Sequence, residues 1–218
     1  MKKHVLLLLL LLSTTGAMAK HRKVKLITPY GTMIILLYDQ TPKHRDNFIK
    51  LTKAHFYDST LFHRVINTFM IQGGDPTSRH AQPGTALGEG DNGYTIPAEL
   101  QLDLFHIKGA LAAARDDNPA KASSGCQFYI VQGKKWTDAE LDKLEKNRLG
   151  RKIPIDQREI YKKEGGTPQL DQSYTVFGQV IKGMDVIDKI ATLKTDQNDR
   201  PLTDVPMKIK LIHKFLFF

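Results

Sequence analysis

From Lys23 onward the chain is a succession of short apolar segments, each cut off by a cluster of Gly, Asp or Asn. That punctuation leaves little room for long helices or for parallel strands joined by helical crossovers, and it favours antiparallel strands joined by tight turns. Val24 and Leu26 alternate with lysines, Pro29-Tyr30-Gly31 marks a turn, and Thr32 to Tyr38 is rich in β-formers, so a hairpin is predicted. Further strands are predicted over Leu61 to Ile66, Phe69 to Gly73, His106 to Ala112, Gln127 to Val131, Tyr174 to Val180 and Met207 to His213. Two helices accompany them. Thr41-Pro42 offers an N-cap and an N1 proline for a helix with Phe48, Leu51 and Phe56 on one face, and a second helix covers Met184 to Ala191. Strands in the majority with two helices over them predict a mainly β architecture, either barrel or sandwich.

One stretch breaks this rhythm. Residues 134–168 are highly charged and read as helix: Thr137 and Glu140 form a capping box, Leu141, Leu144 and Leu149 follow, and Gly150 ends the helix. Ile153 to Glu164 is a second short helical piece. The whole is read as a surface insertion, replaceable because loop closure costs little entropy.

The first nineteen residues have the three parts of an export signal: basic Lys2 and Lys3, the apolar run Val5 to Leu12, and Ala17-Met18-Ala19 before a predicted cut. The run is far shorter than the roughly 20 residues that cross a bilayer. The expected organisation is therefore a signal peptide at 1–19 and one domain at 20–218, exported to the periplasm or secreted, without a membrane span. The apolar tail Phe215 to Phe218 is expected to pack against the domain. A composition of 41% hydrophobic and 25% charged residues fits one globular core. The net charge of +9 raises the question of nucleic acid, but Lys and Arg are dispersed rather than gathered in a basic tract, so no nucleic-acid partner is expected. The lone Cys126 has no partner for a disulfide and reads as a buried packing residue.

Most catalytic constellations are missing. There is no HExxH or CxxC spacing for a metal, no GxSxG elbow, no phosphate-binding glycine motif, and the Gly84 to Gly93 stretch is too loosely spaced for a phosphate cradle. What remains is chemistry that uses neither cofactor nor metal nor nucleophile. Against that background stands Phe62-His63-Arg64-Val65-Ile66-Asn67-Thr68-Phe69-Met70-Ile71-Gln72-Gly73-Gly74-Asp75, in which a cation, apolar side chains and an amide are laid along adjoining strands. This segment resembles the signature of the cyclophilins. The resemblance continues, in order, through Asn47-Phe48, Tyr57-Asp58, Gly109-Ala110-Leu111, Gln127-Phe128-Tyr129-Ile130 and Val176-Phe177-Gly178.

The resemblance implies a closed eight-stranded antiparallel β-barrel capped by two helices, and a peptidyl-prolyl cis/trans isomerase that acts during folding of exported proteins. Its partners would be proline-containing unfolded or flexible polypeptides, and the protein would work as a monomer. Twisting an X-Pro amide crosses a barrier of about 18–20 kcal/mol and frees the nitrogen to accept a hydrogen bond. A guanidinium is charged at any working pH and can donate to that twisted amide. On this reading Arg64 is the catalytic donor and Gln72 holds it. Phe69, Met70, Tyr129 and Leu170 seat the proline ring, while Ala114, Arg115, Gln127 and Tyr174 complete the substrate-binding groove. His63, next to Arg64, is assigned to the opposite face and to packing. The alternative is a module that binds proline segments without turnover, or a chaperone surface.

Some positions depart from the family pattern. Gln169-Leu170-Asp171 stands where many members have Trp-Leu-Asp, Tyr174 where many have His, Tyr129 in place of Phe, and Ala114-Arg115-Asp116 in place of Ala-Asn-Ala. Trp136 opens the insertion and is not expected to stand in for the missing tryptophan.

Overall fold

The computed structural model describes residues 22–212. The expected signal peptide, and the tail from Phe215 to Phe218, lie outside the described residues. In chain order the elements are β1 (Arg22–Thr28), β2 (Gly31–Leu37), α1 (Pro42–Lys53), β3 (Phe62–Ile66), β4 (Met70–Gly73), β5 (Thr95–Ile96), β6 (Ala110–Ala113), β7 (Ser123–Ser124), β8 (Phe128–Val131), α2 (Asp138–Leu144), α3 (Ile155–Lys163), β9 (Val176–Lys182), α4 (Met184–Ala191) and β10 (Lys208–Ile212).

The first hairpin forms as its alternation demands. Val24, Leu26, Met33, Ile35 and Leu37 are fully buried on one face, and the Thr28 hydroxyl closes the turn by accepting the Tyr30 N–H at 3.1 Å. Helix α1 begins at the predicted proline but is not capped by Thr41. Instead the Glu99 carboxylate accepts the N–H groups of Lys43 and His44 at 3.1 and 3.0 Å, meeting the orphan donors of the first turn from a distant segment.

Eight strands form one antiparallel sheet in the order β10-β1-β2-β9-β6-β8-β4-β3, and β5 pairs with β7 as a separate ribbon. The sheet is strongly curled. Its inner face carries Phe62, Val65, Ile71, Leu111, Phe128 and Ile130, which pack with Phe48 and Leu51 of α1 and Val186, Ile187 and Ile190 of α4. The expected closed barrel is corrected to an open half-barrel, because β3 and β10 remain the two edges of the ladder. Backbone bonds Ser59 N–H to Met207 O, Met207 N–H to Thr60 O and Phe62 N–H to Val205 O, all 2.9–3.0 Å, tack the edges together beside a single Leu61–Pro206 bridge. These bonds come from the residues on either side of Pro206, and the contact stays one bridge long instead of growing into a ladder.

The insertion folds as its caps predict. Thr137 and Glu140 make the reciprocal capping box, α2 runs on into a widened turn over Glu145–Leu149, and Gly150 ends it in the left-handed region at φ 62°. It is not a loose excursion, however. Leu141, Ile153 and Tyr161 form a small core with Trp136, Leu144 and Leu149, and with Phe105 and Ile107 from outside the insertion. Backbone bonds from Lys108 N–H to Gly165 O and from Thr167 N–H to His106 O dock it on the chain entering β6. This docking explains why the strand expected from His106 starts only at Ala110: residues 106–108 pair with the insertion instead of with the sheet.

Candidate active site

The outer face of the curled sheet bears a second apolar cluster built from Met70, Ala110, Ala112, Tyr129, Leu170 and Val176, with Phe69 and Tyr174 packed on it. The alternation of β3, β4, β8 and β6 puts it there. Arg64 is the register partner of Gln72, Gln72 of Tyr129, and Tyr129 of Ala112, so these side chains form a row across four strands on one face. The hairpin turn between β3 and β4 brings Phe69 to the same side, with the Thr68 N–H donating to the Gln132 side chain at 2.6 Å.

The row floors a groove of about 300 Å³ lined by Arg64, Phe69, Met70, Gln72, Ala114, Arg115, Tyr129, Leu170 and Tyr174. Gln127 lies next door, in an adjoining hollow of about 460 Å³ that shares Gln72, Ala114 and Arg115 with the first. All ten residues expected from the sequence are thus brought together. The Tyr129 and Tyr174 rings meet edge to face at 5.9 Å, and the Arg115 guanidinium lies 4.8 Å from the Tyr174 ring centre.

Two expectations about the catalytic pair and its neighbour are corrected. Gln72 does not hold Arg64. Its amide N–H donates to Gln127 Oε1 at 3.1 Å, and Gln127 in turn donates to the carbonyls of Gly88 and Gly90 at 2.7 and 2.8 Å. The nearest carboxylate to Arg64 is Asp199, 3.5 Å from Nε, with both side chains roughly two-fifths exposed. His63 does not leave the groove for the opposite face, because the β3–β4 register shifts between Phe62 and Arg64 and the bulge breaks the alternation. His63 lines the groove, is buried, and has neither ring nitrogen hydrogen-bonded. Burial drives its pKa down to about 4 against the opposing pull of Asp75, so the ring is neutral at pH 7.

The groove is also lined by Leu87, Gly88 and Glu89 of the glycine-rich loop, to which the sequence assigns no role. Asp75 organises it, accepting the N–H groups of Gly88 at 2.6 Å and Thr77 at 2.7 Å and the Thr77 hydroxyl at 2.6 Å. Burial alone would raise the Asp75 carboxyl, but these donors outweigh it and hold the pKa below the usual value. A Cβ at Gly90 would sit 2.0 Å from Asp75 Oδ1, so only glycine lets the loop close on that carboxylate. The signal available in the sequence was the Asp75 that ends the signature together with the glycines that follow.

Other residues fall where their types suggest. Cys126 is buried and its thiol is pushed up to about 11 by burial, which suits packing and not nucleophilic attack. Trp136 donates its indole N–H to Gly166 O at 2.9 Å inside the insertion and does not line the groove. The Ala114 N–H is committed to Gln127 O at 3.0 Å, so this residue offers the groove its methyl group and not that donor.

The family model that describes "Cyclophilin type peptidyl-prolyl cis-trans isomerase/CLD" matches residues 23–211. A Staphylococcus epidermidis protein that bears the peptidyl-prolyl cis-trans isomerase name is 40% identical over 185 residues, covering 84% of this chain and 87% of the relative. A Streptococcus pyogenes protein named for both phosphatase and peptidyl-prolyl cis-trans isomerase activity is also 40% identical, over 84% of this chain and 37% of that longer protein. Among solved structures, a cyclophilin-type isomerase of Cryptosporidium parvum superposes with a TM-score of 0.67 at 24% identity, over 89% of this chain and 99% of its own. The same protein in the presence of the dipeptide Ala-Pro superposes with a TM-score of 0.65 at 26% identity, over 88% of this chain and 99% of its own.

Proposed function

The chain belongs to the cyclophilin-type peptidyl-prolyl cis-trans isomerases, and from that premise we propose that Arg64 is the group that lowers the barrier to X-Pro rotation. The observation that carries this reading is the position of its guanidinium on the rim of the groove, beside the Phe69, Met70, Tyr129 and Leu170 floor. A proline ring seated on that floor brings its amide to the rim. As the amide twists, resonance is lost, and the N–H donors of Arg64 bond the twisted form better than either planar form. Half-exposed in the free protein, the guanidinium loses water when a peptide covers it, and its field on the amide grows. Gln72 acts at one remove: through Gln127 it fixes the 88–90 rim. A structural neighbour studied with Ala-Pro supports a proline-containing polypeptide as substrate.

The test is Arg64→Ala in a proline-peptide isomerisation assay. The expected outcome is a loss of about 10²–10³ in kcat/KM, the effect of removing one preorganised donor, with thermal unfolding unchanged; full activity in the folded variant sinks the assignment. The proposal extends to location: residues 1–19 direct export, and the mature monomer serves proteins that fold outside the cytoplasm. Mass spectrometry of the exported protein should find Lys20 at its N-terminus, and an intact Met1 would refute this.

A further inference from the structure

Beside the groove lies a third hollow, of about 470 Å³, walled by Arg115, Lys121, Arg148 and Arg151 and sharing Arg115, Leu170 and Tyr174 with the groove itself. Its construction is unusual for so many cations. Three successive backbone carbonyls each accept from a different one of them: Asp171 O from Arg151 at 3.4 Å, Gln172 O from Lys121 at 2.7 Å, and Ser173 O from Arg115 at 2.9 Å. The bonds aim the side chains without neutralising them. Asp171 contributes the one carboxylate in the wall, and it is buried and already occupied by His106 and Tyr161. Arg115 has only the fully exposed Asp117 at 3.6 Å, and Lys121, Arg148 and Arg151 make no ion pair with any described residue.

We propose that this hollow is an anion subsite of the isomerase, which takes a carboxylate or phosphate side chain of the polypeptide whose proline sits in the groove. The proposal rests on the isomerase reading and adds a preference to it: X-Pro bonds flanked by acidic residues. Positioned guanidinium groups with unused N–H donors, in a concave site of one sign, are suited to bind such a group. Arg148 and Arg151 come from the insertion, which gives that segment a role in choosing substrates.

The test compares peptides in which glutamate or glutamine is walked through the positions flanking one proline. The expected result is at least one position where glutamate raises kcat/KM by roughly tenfold over glutamine, as two or three partly exposed ion pairs would give, with the preference shrinking as salt is added. Arg148→Glu with Arg151→Glu should reverse that preference and leave turnover of the glutamine peptides unchanged. Arg148→Gln, on an exposed side chain, should lessen the preference even if the double reversal fails to fold. Phosphoserine in place of glutamate then tells which anion is preferred. Equal rates for all glutamate and glutamine pairs in an active protein overturn the subsite, as does competition by a nucleic-acid polyanion with no glutamate preference. No turnover of any peptide would overturn the isomerase reading itself.

Discussion

The Nε2 atom of His106 lies 2.9 Å from the hydroxyl of Tyr129, directly behind the aromatic wall of the groove. On its other side Nδ1 lies 2.8 Å from Asp171 Oδ1, which also accepts the His106 backbone N–H, and Asp171 Oδ2 accepts the Tyr161 hydroxyl at 2.7 Å. A carboxylate can only accept, so Nδ1 carries a proton, and in the neutral ring Nε2 then accepts from Tyr129. Burial pushes the Tyr129 phenol well up, which keeps it a donor. The insertion thus reaches the groove through four side chains. Tyr129→Phe keeps the ring as wall but strands a buried acceptor, so the expected outcome is a stability loss of about 1–3 kcal/mol with kcat/KM little changed. Lost activity at unchanged stability would place the hydroxyl in the chemistry instead.

Replacement of residues 134–168 by a short Gly/Ser link tests the insertion as a structural part. It would uncover Phe105 and Ile107 and remove the Tyr161 partner of Asp171. A cooperative transition is expected at a Tm lowered by several degrees, at roughly 2–4 °C per kcal/mol for a chain of this size. An unchanged Tm would mean that the small core around Tyr161 contributes nothing to the domain.

His63 predicts a pH dependence of stability. Its pKa is about 4 in the folded protein and 6.5 once the ring is released to water, so the unfolded chain binds the extra proton between those values. Stability is complete above pH 6.5 and falls as the pH drops toward 4, by about 3 kcal/mol for this group. Asp75, Arg64 and Arg200 are the charged groups that act on it. Denaturant titrations of the parent and of His63→Gln across pH 4–7 should show a shallower slope in the variant; parallel curves would contradict the shift.

The Arg64–Asp199 contact predicts a split between stability and activity. Both side chains are partly exposed, so Asp199→Asn should change stability by less than about 1 kcal/mol. Loss of the partner that steadies Nε should still lower kcat/KM severalfold. Arg64→Lys should be far worse, because an ammonium cannot reproduce the planar fork of donors. Wild-type turnover by Arg64→Lys would reduce the role of Arg64 to simple charge.

Whatever is local could be read along the chain. Alternation set the inner and outer faces of the β1–β2 hairpin, Pro42 and the Thr137–Glu140 box started their helices, and the run from Phe62 to Asp75 named Arg64, Phe69, Met70 and Gln72 of the groove from a single hairpin. What depends on partners far apart in the chain emerged only from packing. The Glu99 cap on α1 spans 55 residues and the Gln72–Gln127 bond another 55, while the Tyr129–His106 contact needs the insertion docked behind the sheet. A bulge of one residue turned His63 into the groove, and the β3 and β10 edges met through no more than an isolated bridge between Leu61 and Pro206. The physical reason is common to all of these. Turn and strand preferences are set by neighbouring residues, whereas a buried hydrogen bond or a register shift is chosen only when the collapsed core fixes which polar groups can still find one another.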